Sequence, residues 1–390
     1  MGEFTPRERV AAAVGHQEAD RIAISFGGTS STGILECPPD GKNYTRLCHY
    51  LGIRDFEKPD IGYAFNAVGN IDERILQKFG SDLRRINPNP VEFSVAPDGT
   101  KTVYGIRCGL RVKKMGLYED IFEFPLRHAT SKKDIETYPL WPTEDDLAEL
   151  ARGKTDEAKR LREETDYAVM ADGYLTSFPF LMYSLLAGYE KWFVDMKLNP
   201  KFYFALCDKL LEIGFAIVDR FLGAVGDYID MVATYDDMGT QQGLLCSHQD
   251  YVKFIKPYER QMIGHIKKYT GATIYRHSCG SVYDIIPDLI EIGVEVLNPV
   301  QPLAKNMEPW RLKKEFGKDL TFCGGIDIQR LLPCGSPAQV REAVKKTIDT
   351  YGPGGGYILG PSHNIEPDTP PENIVAMYEA AQEYGNYPVA

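Results

Sequence analysis

The chain has 390 residues, of which 43% are hydrophobic and 25% are charged, a composition typical of globular rather than disordered or fibrous proteins. Its net charge of −11 argues against nucleic acid as the main partner, because phosphate binding needs a concentrated basic face and the sequence has none. No apolar run reaches the roughly 18 residues that a membrane span needs, and the first residues lack a signal-peptide pattern.

The first predicted elements are a helix and a strand. The run Thr5–Glu8 has the pattern of an N-cap, a proline at the first helical position and a glutamate at the third, which predicts a helix up to about Gly15. Arg21–Phe26 then has the composition of a strand, and the small polar loop Gly27–Gly33 follows. This loop matches neither phosphate-loop pattern, so it is compatible with a substrate contact and with a plain connection.

The pattern changes after the proline-rich break at Asn87–Pro90. Between Val91 and Pro125, alternating runs flank a Pro-Asp-Gly-Thr turn sequence, which predicts a small antiparallel β insertion. Thr143 and the acidic residues after it then cap the first of two charged helices that reach about Glu164.

From residue 167 onward, short apolar strand patterns alternate with helical patterns. With two earlier strands they give eight candidate strands: Arg21–Phe26, Leu83–Ile86, Tyr167–Ala171, Tyr228–Ala233, Ala272–Tyr275, Val294–Leu297, Leu320–Cys323 and Gly356–Leu359. This alternation predicts an α/β fold, a single (β/α)8 TIM barrel over residues 1–390. A doubly wound open sheet also alternates. The barrel is favoured because polar clusters follow several strand ends, where a barrel collects its site at one face.

Two metal-capable side chains lie at the end of one candidate strand. His277 and Cys279 are two residues apart, and positions i and i+2 of an extended strand face the same side, with Ser278 turned away. Such a pair can chelate zinc, although an isolated His-x-Cys is more often core filler. Eight cysteines are scattered without a disulfide-scaffold spacing, which favours a reducing cytoplasm.

A third candidate ligand follows the last strand. His363 precedes Thr369–Glu372, whose sequence predicts a capping box with a proline at the first helical position. His363 therefore lies in a strand-to-helix loop at the barrel mouth, where it can approach His277 and Cys279. Three nitrogen and sulfur ligands with an open fourth position are the pattern of catalytic zinc.

Other polar groups follow neighbouring strands. Adjacent carboxylates at Asp236 and Asp237 repel, so at least one should face water, a cation or a substrate donor. An Asp-Asp pair before glycine is equally typical of a helix-capping loop. Asn298 and Gln301 are amides held by two prolines, and amides suit hydrogen bonding to oxygen-rich ligands.

Five segments together resemble the uroporphyrinogen decarboxylase superfamily: Asp236–Gln241, His277–Gly280, Gly324–Asp327, Gly360–Ile365 and Asp368–Asn373. The resemblance covers nearly the whole chain and is weakest in the insertion. It implies a single-domain (β/α)8 barrel. It also implies one of two activities: decarboxylation of uroporphyrinogen, or zinc-dependent methyl transfer to or from a corrinoid protein.

The resemblance favours the methyltransferase branch. The decarboxylases carry an Arg-Gln-Ala-Gly-Arg motif where this chain has Gly27–Gly33, and a loop without a cation cannot clamp a polycarboxylate. The methyltransferases carry His-x-Cys-Gly, as at His277–Gly280, and a third ligand cysteine where this chain has His363. Fewer thiolates leave zinc a stronger Lewis acid, suited to an ether or alcohol oxygen.

The sequence therefore predicts a cytoplasmic methyltransferase that holds Zn²⁺ on His277, Cys279 and His363 and moves a methyl group from a small methylated substrate to cobalt. The substrate is expected to be methoxylated and possibly aromatic. Because no Asp-x-His-x-x-Gly signature is present, the corrinoid (cobalamin) is expected on a transient partner protein. A tetrapyrrole decarboxylase is the alternative enzyme, and a barrel that binds a tetrapyrrole without turnover is a third hypothesis. The other expected site residues are Asp236, Asp237 and Asn298 for orientation, and Tyr174, Phe178 and Phe65 around an aromatic substrate, although those three rings suit a core equally well.

Overall fold

The computed structural model describes residues 4–36, 43–60, 68–115, 118–177 and 179–389. Its strands are β1 (Ala23–Ile24), β2 (Leu83–Ile86), β3 (Phe93–Val95), β4 (Lys101–Val103), β5 (Leu110–Met115), β6 (Tyr118–Glu123), β7 (Ala168–Ser177), β8 (Met231–Tyr235), β9 (Gly239–Thr240), β10 (Gly243–Leu244), β11 (Thr273–His277), β12 (Val296–Val300), β13 (Thr321–Ile326) and β14 (Tyr357–Pro361).

Helices separate most of these strands. They are α1 (Pro6–Val14), α2 (Tyr44–Tyr50), α3 (Glu73–Lys78), α4 (Lys132–Glu136), α5 (Glu144–Leu150), α6 (Lys154–Glu164), α7 (Pro179–Ala187), α8 (Tyr189–Leu198), α9 (Pro200–Val225), α10 (His248–Asp250), α11 (Lys256–Ile266), α12 (Ile286–Glu291), α13 (Pro309–Phe316), α14 (Leu331–Cys334), α15 (Pro337–Tyr351) and α16 (Pro371–Tyr384). Within the described ranges, no helix is both long and apolar enough to cross a membrane.

Eight parallel strands form the central sheet in the order β1, β14, β13, β12, β11, β8, β7, β2. The order follows the chain around the ring, as expected for the (β/α)8 barrel that the alternating pattern predicts, so that prediction is confirmed. One buried cluster fills the ring interior, with Met231, Tyr275 and Ile358 among its members. The larger cluster lies between the sheet and the helices.

Helix α1 closes the amino-terminal end of the ring. Its Val10 and Ala13 belong to the interior cluster, and the carbonyl of Ala13 accepts a hydrogen bond from the N–H of Gly356, just before β14. The predicted capping box is present, because the Thr5 hydroxyl accepts the N–H of Glu8 and the Glu8 carboxylate accepts the N–H of Thr5. The barrel is therefore plugged at this end, and the opposite end is the open mouth.

The seam between β1 and β2 is closed by side chains. Asp82 N–H donates to the Ile24 carbonyl, and the Asp82 carboxylate accepts the Ile24 N–H at 2.8 Å. That carboxylate is fully buried and pairs with Arg9 at 2.7 Å and Arg21 at 2.8 Å. Ser81 adds hydrogen bonds in both directions with the backbone of Phe26. The seam is thus held by a buried ion-pair network rather than by a continuous ladder of backbone hydrogen bonds between β1 and β2.

Strands β3 to β6 form the predicted antiparallel insertion as a sheet of their own, in sequence order. Val103, Leu110 and Val112 are buried, whereas all three residues of β3 are exposed. The predicted helices after Thr143 also form, as α5 with a Thr143–Asp146 capping box and α6.

One predicted cap is wrong. Helix α16 begins at Pro371 with Pro370 as its N-cap, and no side chain caps it. The physical reason lies in the two prolines: a residue that precedes proline is disfavoured in the helical region, so Pro370 stays extended and the helix cannot start before Pro371. Thr369 is consequently one residue too early to cap it. The predicted apolar stripe of α16 is buried, as expected.

Replacement of Asp82 by alanine should lower the free energy of unfolding by about 3–5 kcal/mol, because it leaves two arginines at the seam without their shared buried partner. Urea titration followed by circular dichroism measures this loss. The exposed Asp145→Ala in α5 is the matched control and should change stability by about 0.5 kcal/mol or less. Equal effects of the two changes would contradict the proposed role of Asp82.

Candidate metal centre

Three metal-capable side chains meet at the open mouth of the barrel. One ligand atom from each of His277, Cys279 and His363 lies within 4.8 Å of the other two. The Cys279 sulfur is 3.5 Å from Nε2 of His277, and the rings of His277 and His363 are 5.5 Å apart between centroids. No other group of this kind occurs in the part of the chain that the structure describes. The barrel order explains the meeting, because the carboxyl ends of β11 and β14 open into the same mouth.

Two hydrogen bonds orient the imidazole of His277. Its Nδ1 is 2.9 Å from Oδ1 of Asn298 and 2.9 Å from Oγ of Ser31. The Asn298 amide nitrogen donates to the carbonyl of Cys323, which assigns the amide oxygen to the side of His277. Since that oxygen can only accept, Nδ1 carries the proton and Nε2 presents its lone pair toward Cys279.

The loop after β11 aims Cys279 at His277. The Cys279 N–H donates to Oδ1 of Asp237 at 2.8 Å. Ser278 points the opposite way, and its hydroxyl accepts the N–H of Met238. Strand β11 ends at His277, so Ser278 and Cys279 lie in the following loop, but His277 and Cys279 still approach each other while Ser278 points away, as the sequence predicts.

Gly280 is required at the crossing of two loops. It has a φ of +78°, and a Cβ there would lie 2.5 Å from the carbonyl carbon of Gly239. Its N–H donates to Oε1 of Gln301 at 2.9 Å, so one of the two predicted amides holds this loop. Any larger residue would push Cys279 away from its neighbours.

The electrostatics of the cluster favour a cation. Burial lowers the pKa of His277, and burial together with the charge of His277 lowers the pKa of His363 to about 4. Both imidazoles are therefore neutral at pH 7, which is the form that binds metals. Burial, and then the carboxylate of Asp237, raise the pKa of the Cys279 thiol well above its usual value. A thiolate at this position needs a cation beside it, and two imidazoles with one thiolate are a donor set that suits zinc.

The two adjacent aspartates face different surroundings. Asp237 lines the cavity at the mouth, and its Oδ1 is 3.7 Å from Nε2 of His277. Asp236 is buried behind the mouth, and its backbone carbonyl accepts a hydrogen bond from Arg276. Burial raises the pKa of Asp236 well above its usual value, an effect that Arg276 partly opposes and Glu259 adds to. Of the pair, Asp237 is thus the carboxylate placed to meet a ligand.

A cavity of about 760 Å³ extends from the metal-capable cluster to the insertion. Tyr235, Asp237, His277 and His363 line one end, and Ile106 and several other insertion residues line the other. The volume suits a small organic molecule.

Of the three predicted aromatic contacts, Phe65 and Phe178 lie outside the described residues. Tyr174 lies in β7, but its side chain is also outside them. Their roles stay predictions.

Sequence reasoning missed three polar residues of this mouth: Ser31, Asp172 and Arg85. Ser31 belongs to the loop whose role the sequence left open. Arg85 follows Leu83 by two residues, so strand alternation places it on the inward face of β2. It lines the cavity and lies 3.3 Å from the Ser30 hydroxyl. The Gly27–Gly33 loop has no cation, as the sequence shows, but Arg85 on the neighbouring strand β2 brings a cation to the same mouth.

The fold and the site together define a (β/α)8 barrel with a candidate metal centre at its carboxyl-terminal mouth. The family model described as "Uroporphyrinogen decarboxylase (URO-D)" matches residues 126–384, which is more than half of the chain. The chain belongs to the uroporphyrinogen decarboxylase family.

Relatives with this name come from several bacteria. The uroporphyrinogen decarboxylase of Pseudomonas paraeruginosa is 26% identical over 279 residues, which cover 69% of this chain and 73% of the relative. That of Geobacter metallireducens is 25% identical over 280 residues, covering 69% and 75%. Among solved structures, a methyltransferase from Methanosarcina mazei matches with a TM-score of 0.66 and 17% identity, covering 98% of this chain and 99% of the other. At that identity the likeness shows a shared fold.

The cluster predicts one equivalent of zinc in protein purified without a histidine tag. Cys279→Ser should lower the zinc content strongly, because the only thiol of the cluster is lost. The matched control is Cys334→Ser, since Cys334 is exposed and outside the cluster. Zinc is quantified by inductively coupled plasma mass spectrometry. Full zinc content in a Cys279→Ser, His363→Ala double variant would contradict the site.

Proposed function

We propose that the protein is a zinc-dependent methyltransferase that moves a methyl group from a small methoxylated substrate to the Co(I) of a corrinoid protein. The observation that carries this proposal is the convergence of His277, Cys279 and His363. Two of the three, His277 and His363, line a cavity large enough for such a substrate. The full-length likeness to a methyltransferase structure supports it.

The transfer needs the methyl ether, the Co(I) of the partner and one proton from solvent water. The carbon–oxygen bond of the methyl ether breaks, a carbon–cobalt bond forms with the electron pair of Co(I), and the leaving oxygen takes a proton. Zinc, when bound, supplies a Lewis acid that polarises the ether oxygen and stabilises the departing alkoxide or phenolate.

The chain's own residues hold and orient the reactants. His277, Cys279 and His363 would hold the metal, and Asn298 keeps Nδ1 of His277 protonated so that Nε2 is available. Asp237 accepts the N–H of Cys279 and thereby fixes the backbone that carries the thiol, and Asp237 also lines the cavity.

Asp236 is buried beside Arg276, so its role is to position the loop that carries Asp237 rather than to touch substrate.

Uroporphyrinogen decarboxylation is the second candidate, and two observations favour it: the names of the sequence relatives and the arginines that line the cavity. Against it, the loop after β1 is committed to the metal-capable cluster. Thr29, Ser31 and Thr32 hydrogen-bond among themselves, and Ser31 also contacts His277. Two imidazoles and a thiol are a donor set for zinc, which favours the metal-dependent reaction.

The proposed corrinoid protein would dock over the mouth, where the cluster lies, and leave again, because its cobalt must also meet a second methyltransferase. A cytoplasmic setting agrees with the seven described cysteines, all of which are free thiols.

Incubation of the zinc-loaded protein with a reduced corrinoid protein and a methoxylated substrate should produce methylated cobalt, followed as a change in the visible spectrum. The change should disappear after zinc removal and return when zinc is restored. In parallel, uroporphyrinogen should release no carbon dioxide.

Two results would contradict the proposal. Decarboxylation of uroporphyrinogen that survives zinc removal would make the protein a decarboxylase. Tight, stoichiometric corrinoid in the isolated chain would contradict the need for a partner protein.

A further inference from the structure

Arg85 is a buried cation at the mouth of the barrel. It lies on β2 two residues after Leu83, which belongs to the cluster inside the ring, so its side chain projects inward. Its side chain is 8% exposed, and it lines the cavity that also reaches His277 and His363. Burying a guanidinium costs free energy of folding unless anions or hydrogen-bond acceptors surround it.

The protein satisfies only part of the hydrogen-bonding capacity of Arg85. One terminal nitrogen donates to Oγ of Ser30 at 3.3 Å and the other to the carbonyl of Gly69 at 3.1 Å. Within the described ranges these are its two hydrogen bonds, against five N–H donors in a guanidinium. The planar guanidinium therefore retains donors for a planar anion.

Asp172 is the nearest carboxylate, but it is engaged elsewhere. Its Oδ2 is 3.8 Å from Arg85, beyond hydrogen-bond length. The same oxygen accepts the N–H of Ser30 at 2.6 Å and the hydroxyl of Ser30 at 2.7 Å. Oδ1 accepts the hydroxyl of Tyr235. Asp172 thus partly compensates the charge of Arg85 without a hydrogen bond to it. The remaining N–H donors of Arg85 stay available to a second anion.

Arg85 and two members of the metal-capable cluster, His277 and His363, line the same cavity. Ser30 touches Arg85, and its neighbour Ser31 touches Nδ1 of His277. On the other side, Tyr235 is bonded to Asp172 and lies with its ring centroid 5.3 Å from that of His277. Two short connections therefore fix the arginine relative to the imidazole.

The remaining cavity wall suits an amphiphilic anion. Much of it is aliphatic, including Ile71, Leu76, Leu83, Leu181 and Leu185. Its charged groups are five cations against three carboxylates: Arg84, Arg85, Arg107, Lys154 and Arg160 against Asp60, Glu157 and Asp237. Arg84 pairs with Glu73 and Lys154 pairs with Glu157, each at 2.7 Å, so these two cations are already compensated by carboxylates of the protein.

We propose that the methyl donor is a small amphiphilic carboxylate whose carboxylate is bound by Arg85 while its methoxy group faces His277, Cys279 and His363. This inference rests on the proposed methyl transfer and names the substrate class. The carboxylate replaces the acceptors that Arg85 lacks, and the aliphatic wall holds the body of the molecule.

The test measures binding to the zinc-loaded protein by isothermal titration calorimetry with two probes of the same shape, para-methoxybenzoate and its neutral counterpart para-methoxybenzamide. The benzoate should bind about tenfold more tightly or better, as expected for charge-assisted hydrogen bonds. Arg85→Gln should remove this preference and leave amide binding unchanged. The matched control is Arg152→Gln, an exposed arginine outside the cavity, which should keep the preference.

Circular dichroism and zinc content check that Arg85→Gln is folded. If it is not, Arg85→Lys takes its place: the charge stays, the planar fork is lost, and the preference should fall without vanishing. Equal binding of the two probes, or binding of neither at millimolar concentration, would overturn the inference. So would a benzoate preference that persists in folded Arg85→Gln or, where Arg85→Lys takes its place, a preference as large as that of the unmodified protein. A preference that depends on Arg85 without any methyl transfer would support the anion site and contradict the proposed function.

Discussion

The buried carboxylate of Asp82 closes the ring on which the rest of the structure depends. Strand β1 pairs over only two residues with β14, and its other edge meets β2 through Asp82, Ser81 and the backbone. The loop after β1 carries Ser31 across the mouth to His277, 246 residues later in the chain. If the seam between β1 and β2 opened, the imidazole of His277 would lose its contact with Ser31, which is one of the two that orient it. An ion-pair network at the seam is therefore coupled to the geometry of the mouth.

The candidate site consists of ordinary residues whose neighbours restrict them. A buried histidine is common, but here Asn298 assigns its proton to Nδ1 and leaves Nε2 facing a thiol. A buried thiol is also common, but here burial and then the carboxylate of Asp237 raise the pKa of Cys279, so that a cation is needed before the thiolate can form. His363 completes the set from the loop after another strand. The orientation of His277, the environment of the Cys279 thiol and the position of His363 each favour a bound metal.

The alternation of strands and helices was readable from the sequence because a parallel barrel buries both faces of each strand and leaves short, apolar runs between amphipathic helices. The His-x-Cys pair was readable because its geometry is local. The loop position of His363 was also local, whereas its approach to His277 followed only from the barrel order.

The contacts of Arg85 with Ser30, and of Tyr235 with Asp172, were not predictable, since each joins residues from different strands or loops and leaves no local pattern. The error at Thr369 shows the reverse case, in which a local motif was overruled by the backbone restriction of two consecutive prolines.

Zinc K-edge X-ray absorption spectroscopy tests the central claim most directly, because it counts the sulfur and nitrogen neighbours of the bound ion. The account predicts one sulfur at about 2.3 Å and at least two nitrogen or oxygen neighbours at about 2.0–2.2 Å in the zinc-loaded protein, with the sulfur lost in Cys279→Ser. Two or more sulfur neighbours, or a sulfur that persists in that variant, would contradict the assignment of His277, Cys279 and His363 as the metal ligands.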